Sequence, residues 1–157
     1  MFLSKGQALF VLFFLCILPH LHPQSQENQD ETDNAALCES SFVGLTMNEL
    51  ISSFGVPRTV YSARGLEEWQ DDVVFAYGQG DFYIYRDRVW QLGLQAFRGI
   101  NTGDPRGVVS LVLGTNAETR GDSIFYPIND RPWPLMLRYD FDTAGRVRAI
   151  FIYRTDF

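Results

Sequence analysis

The sequence predicts an α+β fold in which a short helix packs on an antiparallel sheet, with this unit repeated in degenerate tandem. Three observations lead to this prediction. A capped amphipathic helix pattern occupies residues 44–57, and strand-type segments with tight turns follow it. A second glycine-bounded segment at 103–114 is followed by similar strands. A helix next to a run of strands favours an antiparallel sheet with the helix on one face.

The first helix is predicted by several local rules that agree. Thr46 is a favourable N-cap, and Glu49 three residues later completes a capping box. Gly55, followed by Pro57, ends the helical pattern. The apolar residues fall at i, i+3, i+4 and i+7 on one stripe: Met47, Leu50, Ile51 and Phe54.

Strand-type segments rich in β-branched and aromatic residues come next in the chain. The connections at 78–80 and at Asp87 are short enough for hairpins. The polar stretch 64–72 is predicted to be a loop around Trp69. The predicted strands are 59–63, 73–77, 81–86 and 88–94.

The second glycine-bounded segment, 103–114, has the same length as 44–55. Asp104 is placed to cap a helix there, and Pro105 suits the first helical position. The valines of this segment suit a strand as well as a helix, so both remain open for residues 104–113. The downstream strands also correspond, 88–94 with 146–152.

These motifs resemble a known family. The run Gly-Leu-Thr-x-x-Glu-Leu that ends in Phe-Gly-x-Pro at 44–57, the strand after Trp69 and the segment 82–94 resemble the SmpA/OmlA (BamE-like) domain. The duplicated form is similar to the β-lactamase inhibitory protein fold. The resemblance covers 44–94 and, more loosely, 103–157. It implies a bacterial extracytoplasmic binding module without catalysis, although the lipid-attachment cysteine of the BamE type is missing.

Residues 1–25 have the layout of a signal peptide. Lys5 precedes the uncharged apolar run 8–18, and prolines and polar residues follow it. The run is shorter than the roughly 20 residues that a membrane-spanning helix needs. We therefore expect export to the periplasm or beyond the cell.

Residues 26–41 are predicted to be an acidic disordered linker, because they are polar and carry five acids without a base. The remainder is predicted to form two units, 42–99 and 100–157, packed together as one domain.

The two cysteines offer little chemistry. Cys16 follows Leu12 with lipobox-like spacing, but Leu15 stands where a small residue is expected, which disfavours lipid anchoring. Once Cys16 is removed with the signal peptide, Cys38 has no partner for an internal disulfide.

Removal of the first 25 residues leaves a chain without histidine or lysine, since His20, His22 and Lys5 all lie there. Serine–histidine and cysteine–histidine catalysis, lysine Schiff bases and histidine zinc sites then lack their reagents. The remaining twelve arginines face nineteen acids, which disfavours a nucleic-acid-binding face. We predict a protein that is not an enzyme and uses no cofactor or metal.

Carboxylate clusters support two weaker interpretations. The segment Asp140–Gly145 partly matches a calcium loop but lacks several of its ligands, so a hairpin turn is preferred. The alternative function is an envelope hydrolase. The loop at 67–72 would supply its acid and base from four carboxylates, Glu67, Glu68, Asp71 and Asp72.

Aromatic residues carry the binding prediction. Strand alternation places Phe151 and Tyr153 on one face, and Tyr83 and Tyr85 opposite their apolar neighbours. A sheet that helices cover on one side leaves a second face for a partner, unless the repeats or two subunits cover it. Tyr, Trp and Arg dominate interface energetics. The candidate partner-binding residues are Trp69, Tyr83, Tyr85, Trp133, Phe151 and Tyr153.

The sequence therefore predicts an exported bacterial protein-binding module of the cell envelope. Its aromatic and arginine face would engage an envelope protein or inhibit an enzyme. The envelope hydrolase is the alternative, and a homodimer is the third interpretation.

Overall fold

The computed structural model describes residues 39–64, 71–129 and 131–157. The predicted signal peptide, most of the predicted linker, both cysteines, Trp69, Glu67 and Glu68 lie outside the described residues. Within these ranges, helix α1 spans Met47–Phe54 and helix α2 spans Arg106–Leu113. The strands are β1 (Thr59–Ala63), β2 (Asp72–Ala76), β3 (Asp81–Tyr85), β4 (Arg88–Leu94), β5 (Ala96–Phe97), β6 (Ile100–Asn101), β7 (Glu118–Arg120), β8 (Ser123–Ile128), β9 (Leu135–Phe141) and β10 (Val147–Arg154).

Eight of these strands form one antiparallel sheet in the order β1-β2-β3-β4-β10-β9-β8-β7. The short strands β5 and β6 pair with each other and form a separate hairpin. β4 and β10 lie side by side at the centre, where Leu94 is opposite Ile150 and Gln91 is opposite Tyr153. The sheet therefore runs without a break from the first half of the described chain into the second.

The α+β prediction of a helix packed on a sheet and repeated in tandem is wrong. The described chain is β-rich: one eight-stranded sheet dominates it, and the two α-helices have only eight residues each. The physical reason lies in the last strand of each half. An unpaired strand edge leaves backbone N–H and C=O groups without partners, and β4 and β10 satisfy each other by pairing.

The helix ends differ in how they are capped. In α1 the Thr46 hydroxyl accepts a hydrogen bond from Glu49 N at 3.2 Å, and the Glu49 carboxylate accepts one from Thr46 N at 2.8 Å. In α2 the capping position is Pro105, which offers no side-chain hydrogen bond. The Asp104 carboxylate instead accepts from Asn101 N at 2.8 Å. Residues 106–113 are helical, which answers the question that the valines had left open.

Both helices are attached to the sheet by the same kind of contact just before they begin. Arg88 Nη1 donates to the Gly44 carbonyl at 2.8 Å, and Arg146 Nη1 donates to the Gly103 carbonyl at 2.9 Å. Each arginine thereby fixes the chain segment that enters the helix.

The core lies between the sheet and the two helices. Leu50 of α1 and Val109 of α2 are fully buried in it. Tyr139 is also buried, and its hydroxyl donates to the Phe97 carbonyl at 3.0 Å, so its polar atom has a partner. The fully buried strand residues on this side, which we call the core face, include Phe82, Leu92, Leu137, Ile150 and Ile152.

Gly80 permits the close approach of two chain segments, and its replacement tests the packing at the start of β3. A Cβ atom on Gly80 would overlap the carbonyl oxygen of Gly93, which is backbone and cannot rotate away. We expect Gly80→Ala to lower the free energy of unfolding by about 2 kcal/mol, measured by urea denaturation. Gly93→Ala is the control, because its Cβ would lie 3.5 Å from the Phe151 ring, an ordinary contact. Equal stability of the two variants would contradict this packing.

Candidate functional site on the open face of the sheet

Side chains that alternate with the core residues point to the opposite side of the sheet, which we call the open face. Both described helices lie on the core face. The register of the sheet brings open-face residues from distant parts of the sequence next to each other. They include Asp81, Tyr83, Tyr85, Gln91, Gly93, Arg138, Asp140, Phe151 and Tyr153.

Four predicted binding residues share this face, and each is half-buried: Tyr83, Tyr85, Phe151 and Tyr153. Gln91 lies opposite both Tyr83 and Tyr153, and Gly93 lies opposite Phe151. The rings of Tyr83 and Phe151 meet edge to face, with centroids 6.3 Å apart. The structure therefore brings Tyr83, Phe151 and Tyr153 together across the centre of the sheet.

Arg138 of β9 joins this group and completes what we call the aromatic–arginine cluster: Tyr83, Arg138, Phe151 and Tyr153. Its guanidinium carbon lies 4.7 Å from the centroid of Phe151 and 5.7 Å from that of Tyr153. A planar guanidinium at these distances gains cation–π and stacking energy that a lysine ammonium does not reproduce.

A carboxylate holds Arg138 in place. Arg138 Nε lies 3.1 Å from Asp140 Oδ1, in an ion-pair contact whose geometry is not that of a hydrogen bond. The Ser123 hydroxyl donates to the same Asp140 oxygen at 2.6 Å and so orients the carboxylate. The side chain of Arg138 remains 31% exposed. This arrangement presents a preorganised guanidinium to solvent.

The other half of the open face carries carboxylates instead of arginines. The Tyr61 hydroxyl donates to Asp81 at 3.2 Å, and the Trp90 indole N–H donates to Asp72 at 3.0 Å. Val74 lies on this face as well, yet it is fully buried. Across the sheet, Val74 lies between Tyr61 of β1 and Tyr83 of β3.

These surroundings shift the proton affinity of several groups. Burial, and then the charge of Asp81, raises the pKa of the Tyr61 phenol to about 12. Burial also raises the pKa of Tyr83, with Asp81 adding to the effect. The pKa of Asp72 is raised by burial and lowered in part by the hydrogen bond from Trp90.

A groove of about 200 Å³ opens beside Gly93, at the end of the sheet where the turn at 78–80 lies. Tyr83 and Phe151 line it together with Asp81 and Arg148, which bring opposite charges to the same opening. The groove therefore combines aromatic rings with one acidic and one basic side chain.

The remaining predicted binding residues lie elsewhere. Trp133 packs against the core cluster and lies over Gly44, where an added Cβ would be 3.1 Å from its ring. Arg154 lies 5.3 Å from the Trp133 ring, so this tryptophan is not part of the aromatic–arginine cluster. Tyr85 is on the open face but contacts Phe157 and Arg86. Trp69 is outside the described residues.

Sequence reasoning missed Arg138, Tyr61 and Asp81 as members of this face. Alternation within β9 and β1 was a usable signal, because every second residue of β9 is buried, from Leu135 to Phe141. The partners across the sheet were not predictable, since they depend on the pairing of strands that are far apart in sequence.

The carboxylates proposed for hydrolysis or calcium binding have structural partners where they are described. Asp71 is 3.3 Å from Arg64, and Asp72 accepts the Trp90 hydrogen bond. Asp142 Oδ1 accepts from the N–H groups of Ala144 and Arg146, both at 2.9 Å, in the turn between β9 and β10. Across the described ranges, no three metal-binding side chains cluster together.

Neither helix described has the length and apolar character to cross a bilayer.

Comparison with known proteins does not place the chain in a family. No family model and no curated protein matches it, so the SmpA/OmlA (BamE-like) resemblance is unsupported. One similar solved structure is an extracellular protein containing a SCP domain from Bacillus anthracis. It is 14% identical with a TM-score of 0.46, over 74% of this chain and 45% of that chain. Another is a DUF4309 family protein (YjgB) from Bacillus subtilis, 14% identical with a TM-score of 0.47, over 82% of this chain and 99% of that chain. These scores are too low to carry an argument about function.

The Tyr61–Asp81 contact predicts a specific pH dependence. The folded protein holds the Tyr61 proton more tightly than the unfolded chain, whose tyrosine pKa is about 10. This group therefore stabilises the fold fully below pH 10, and that contribution is lost as the pH rises from 10 to about 12. Asp81→Asn should lower the Tyr61 pKa part of the way toward 10, because burial remains.

The measurement is NMR titration of ring-labelled tyrosine, with Tyr61→Phe to assign the signal. Asp142→Asn is the control, since Asp142 lies in the turn between β9 and β10 and should leave Tyr61 unchanged. A Tyr61 pKa near 10 in the unmodified protein would refute the contact.

Proposed function

We propose that this chain is an exported bacterial protein-binding module of the cell envelope, without catalytic activity, whose open face engages an envelope protein or an enzyme that it inhibits. The observation that carries the proposal is the aromatic–arginine cluster, in which Arg138 packs on Phe151 and Tyr153 and stays partly exposed. Arg and Tyr in a packed central patch are typical of the residues that dominate binding energy at interfaces.

Preorganisation supports a binding role for this cluster. Asp140 and Ser123 hold Arg138, so little side-chain freedom remains to be lost when a partner binds. The polar groups around the cluster would form the rim of an interface, and the groove beside Gly93 adjoins the cluster at Tyr83 and Phe151. Export is inferred from the signal-peptide layout of residues 1–25.

The described carboxylates already accept hydrogen bonds from neighbouring side chains, and this favours a binding function over hydrolysis. Asp72, Asp81 and Asp140 each accept a hydrogen bond from an aromatic or hydroxyl side chain. A carboxylate that acts as a general base needs to reach substrate, whereas these three hold neighbouring side chains in position.

Capture of a partner from envelope extract tests this proposal. The chain with Phe151→Ser and Tyr153→Ser should lose the partner, because the two rings on which Arg138 stacks are removed. Arg138→Lys keeps the charge and should weaken binding about tenfold or more, because the planar stacking is lost. Unchanged thermal unfolding of Arg138→Lys would separate loss of binding from loss of fold.

Val73→Ser is the matched control, because Val73 is 45% exposed but belongs to the core face of β2. It should retain the partner. Retention of the partner by the double serine variant would exclude the open face as the binding site.

Replacement of Glu67, Glu68, Asp71 and Asp72 by alanine tests the alternative function, an envelope hydrolase. Loss of a cellular activity in that variant alone would favour the hydrolase.

A further inference from the structure

The groove beside Gly93 holds one acidic and one basic side chain that do not pair with each other. Asp81 and Arg148 both line it. Within the described chain, the Arg148 guanidinium forms neither an ion pair nor a hydrogen bond. Its charge is therefore available to a ligand. Opposite charges at one opening favour a ligand that itself carries both signs.

A β-bulge in β10 leaves Arg148 free to line this groove. The register against β9 shifts between Val147 and Ala149, so Arg148 is the extra residue of the strand. Strict alternation from Val147 would turn Ile150 away from the core, yet both are buried. The extra residue restores the alternation and leaves Arg148 exposed beside Ala149. Bulges often redirect a side chain in this way next to a binding or active site.

Asp81 contributes an oriented carboxylate to the groove. Its Oδ2 atom accepts a hydrogen bond from the Tyr61 hydroxyl at 3.2 Å. An ionised carboxylate has about four lone-pair sites on its two oxygens, so Asp81 can also accept from the ammonium group of a ligand. Because Tyr61 already restricts this carboxylate, less side-chain freedom is lost when a ligand binds.

Gly93 leaves space between the charged and the aromatic side chains. A Cβ atom added there would lie 3.5 Å from Phe151 Cε1, 3.6 Å from Asp81 Cβ and 3.6 Å from Tyr83 Cε2. Three side chains therefore converge on a position that carries none. The groove of about 200 Å³ is smaller than the roughly 300–1,000 Å³ of pockets for drug-sized ligands, which favours an occupant of amino-acid size.

We propose that this groove binds a small zwitterion of amino-acid size, with its ammonium group against Asp81 and its carboxylate against Arg148. Arginine suits the carboxylate because its planar guanidinium can donate to both oxygens at once. The rings of Tyr83 and Phe151 contact the carbon skeleton of the ligand. This site goes beyond the proposed protein-binding function, because it needs no protein partner.

Titration of the isotope-labelled full chain with L-leucine, followed by NMR, tests this proposal. The amide signals of Gly93 and Asp81 should shift with a dissociation constant on the order of 1 mM, because ion pairs near solvent are weak. Two analogues keep the carbon skeleton and lack one charge each: isocaproate has no ammonium group, and isoamylamine has no carboxylate. Each analogue should bind about threefold more weakly than leucine, or weaker still.

Two variants each remove one charge from the groove. Asp81→Asn and Arg148→Gln should each raise the dissociation constant of leucine about threefold or more. Arg120→Gln is the matched control, because it removes the same charge from a side chain that is 61% exposed on the edge strand β7. The control variant should bind leucine as the unmodified protein does.

Gly93→Ala separates binding from folding. The added methyl makes only ordinary contacts, so the Tm should be maintained. It also fills part of the groove, so the dissociation constant of leucine should rise about threefold or more. Unchanged leucine affinity in this variant would contradict binding beside Gly93.

Three further results would overturn the proposal. The first is the absence of a shift at Gly93 with leucine at about fifty times the expected dissociation constant. The second is binding of either analogue as tightly as leucine, which would show that one charge is sufficient. The third is equal weakening by Arg148→Gln and Arg120→Gln, which would show a non-specific effect of net charge. The partner-capture test replaces neither these arginines nor Asp81 or Gly93, so failure of the protein-binding proposal and failure of this one are distinguishable.

Discussion

The backbone pairing of β4 with β10 is the contact on which the rest of the described structure depends. It joins strands that are more than fifty residues apart in sequence and satisfies an edge of each four-stranded half. It also places Phe151 opposite Gly93 and Tyr153 opposite Gln91. The aromatic–arginine cluster therefore exists because of this pairing, since neither half of the sheet contains it alone.

Small residues at the centre of the sheet determine the shape of the open face. Gly93 lies beside the Tyr83 and Phe151 rings, whose centroids are 6.3 Å apart, and it lines the groove. Arginine is the cation that suits this surface, because its planar group stacks on rings while its Nε approaches Asp140. The oriented Asp140 carboxylate and the stacked Arg138 guanidinium give this part of the face a defined geometry.

The two helices illustrate how similar positions can serve different surfaces. Each is entered through an arginine-to-carbonyl hydrogen bond and buries one aliphatic side chain fully, Leu50 or Val109. Their outer surfaces differ, polar on α1 and apolar on α2, because residues that face solvent are free of the packing constraint that acts on the core. The open face and the apolar outer side of α2 consequently lie on opposite sides of one sheet.

Sequence by itself determined the local features of this protein. The capping box of α1, its end at Gly55 and the alternation of β3 and β10 were predictable, because each depends on residues within a few positions. It also predicted four of the aromatic residues on the open face, but neither Arg138 nor the β-rich class. Only the tertiary structure showed that the chain is β-rich and that Arg138 belongs to the open face. Both features depend on the register between distant strands, and no local sequence pattern encodes that register.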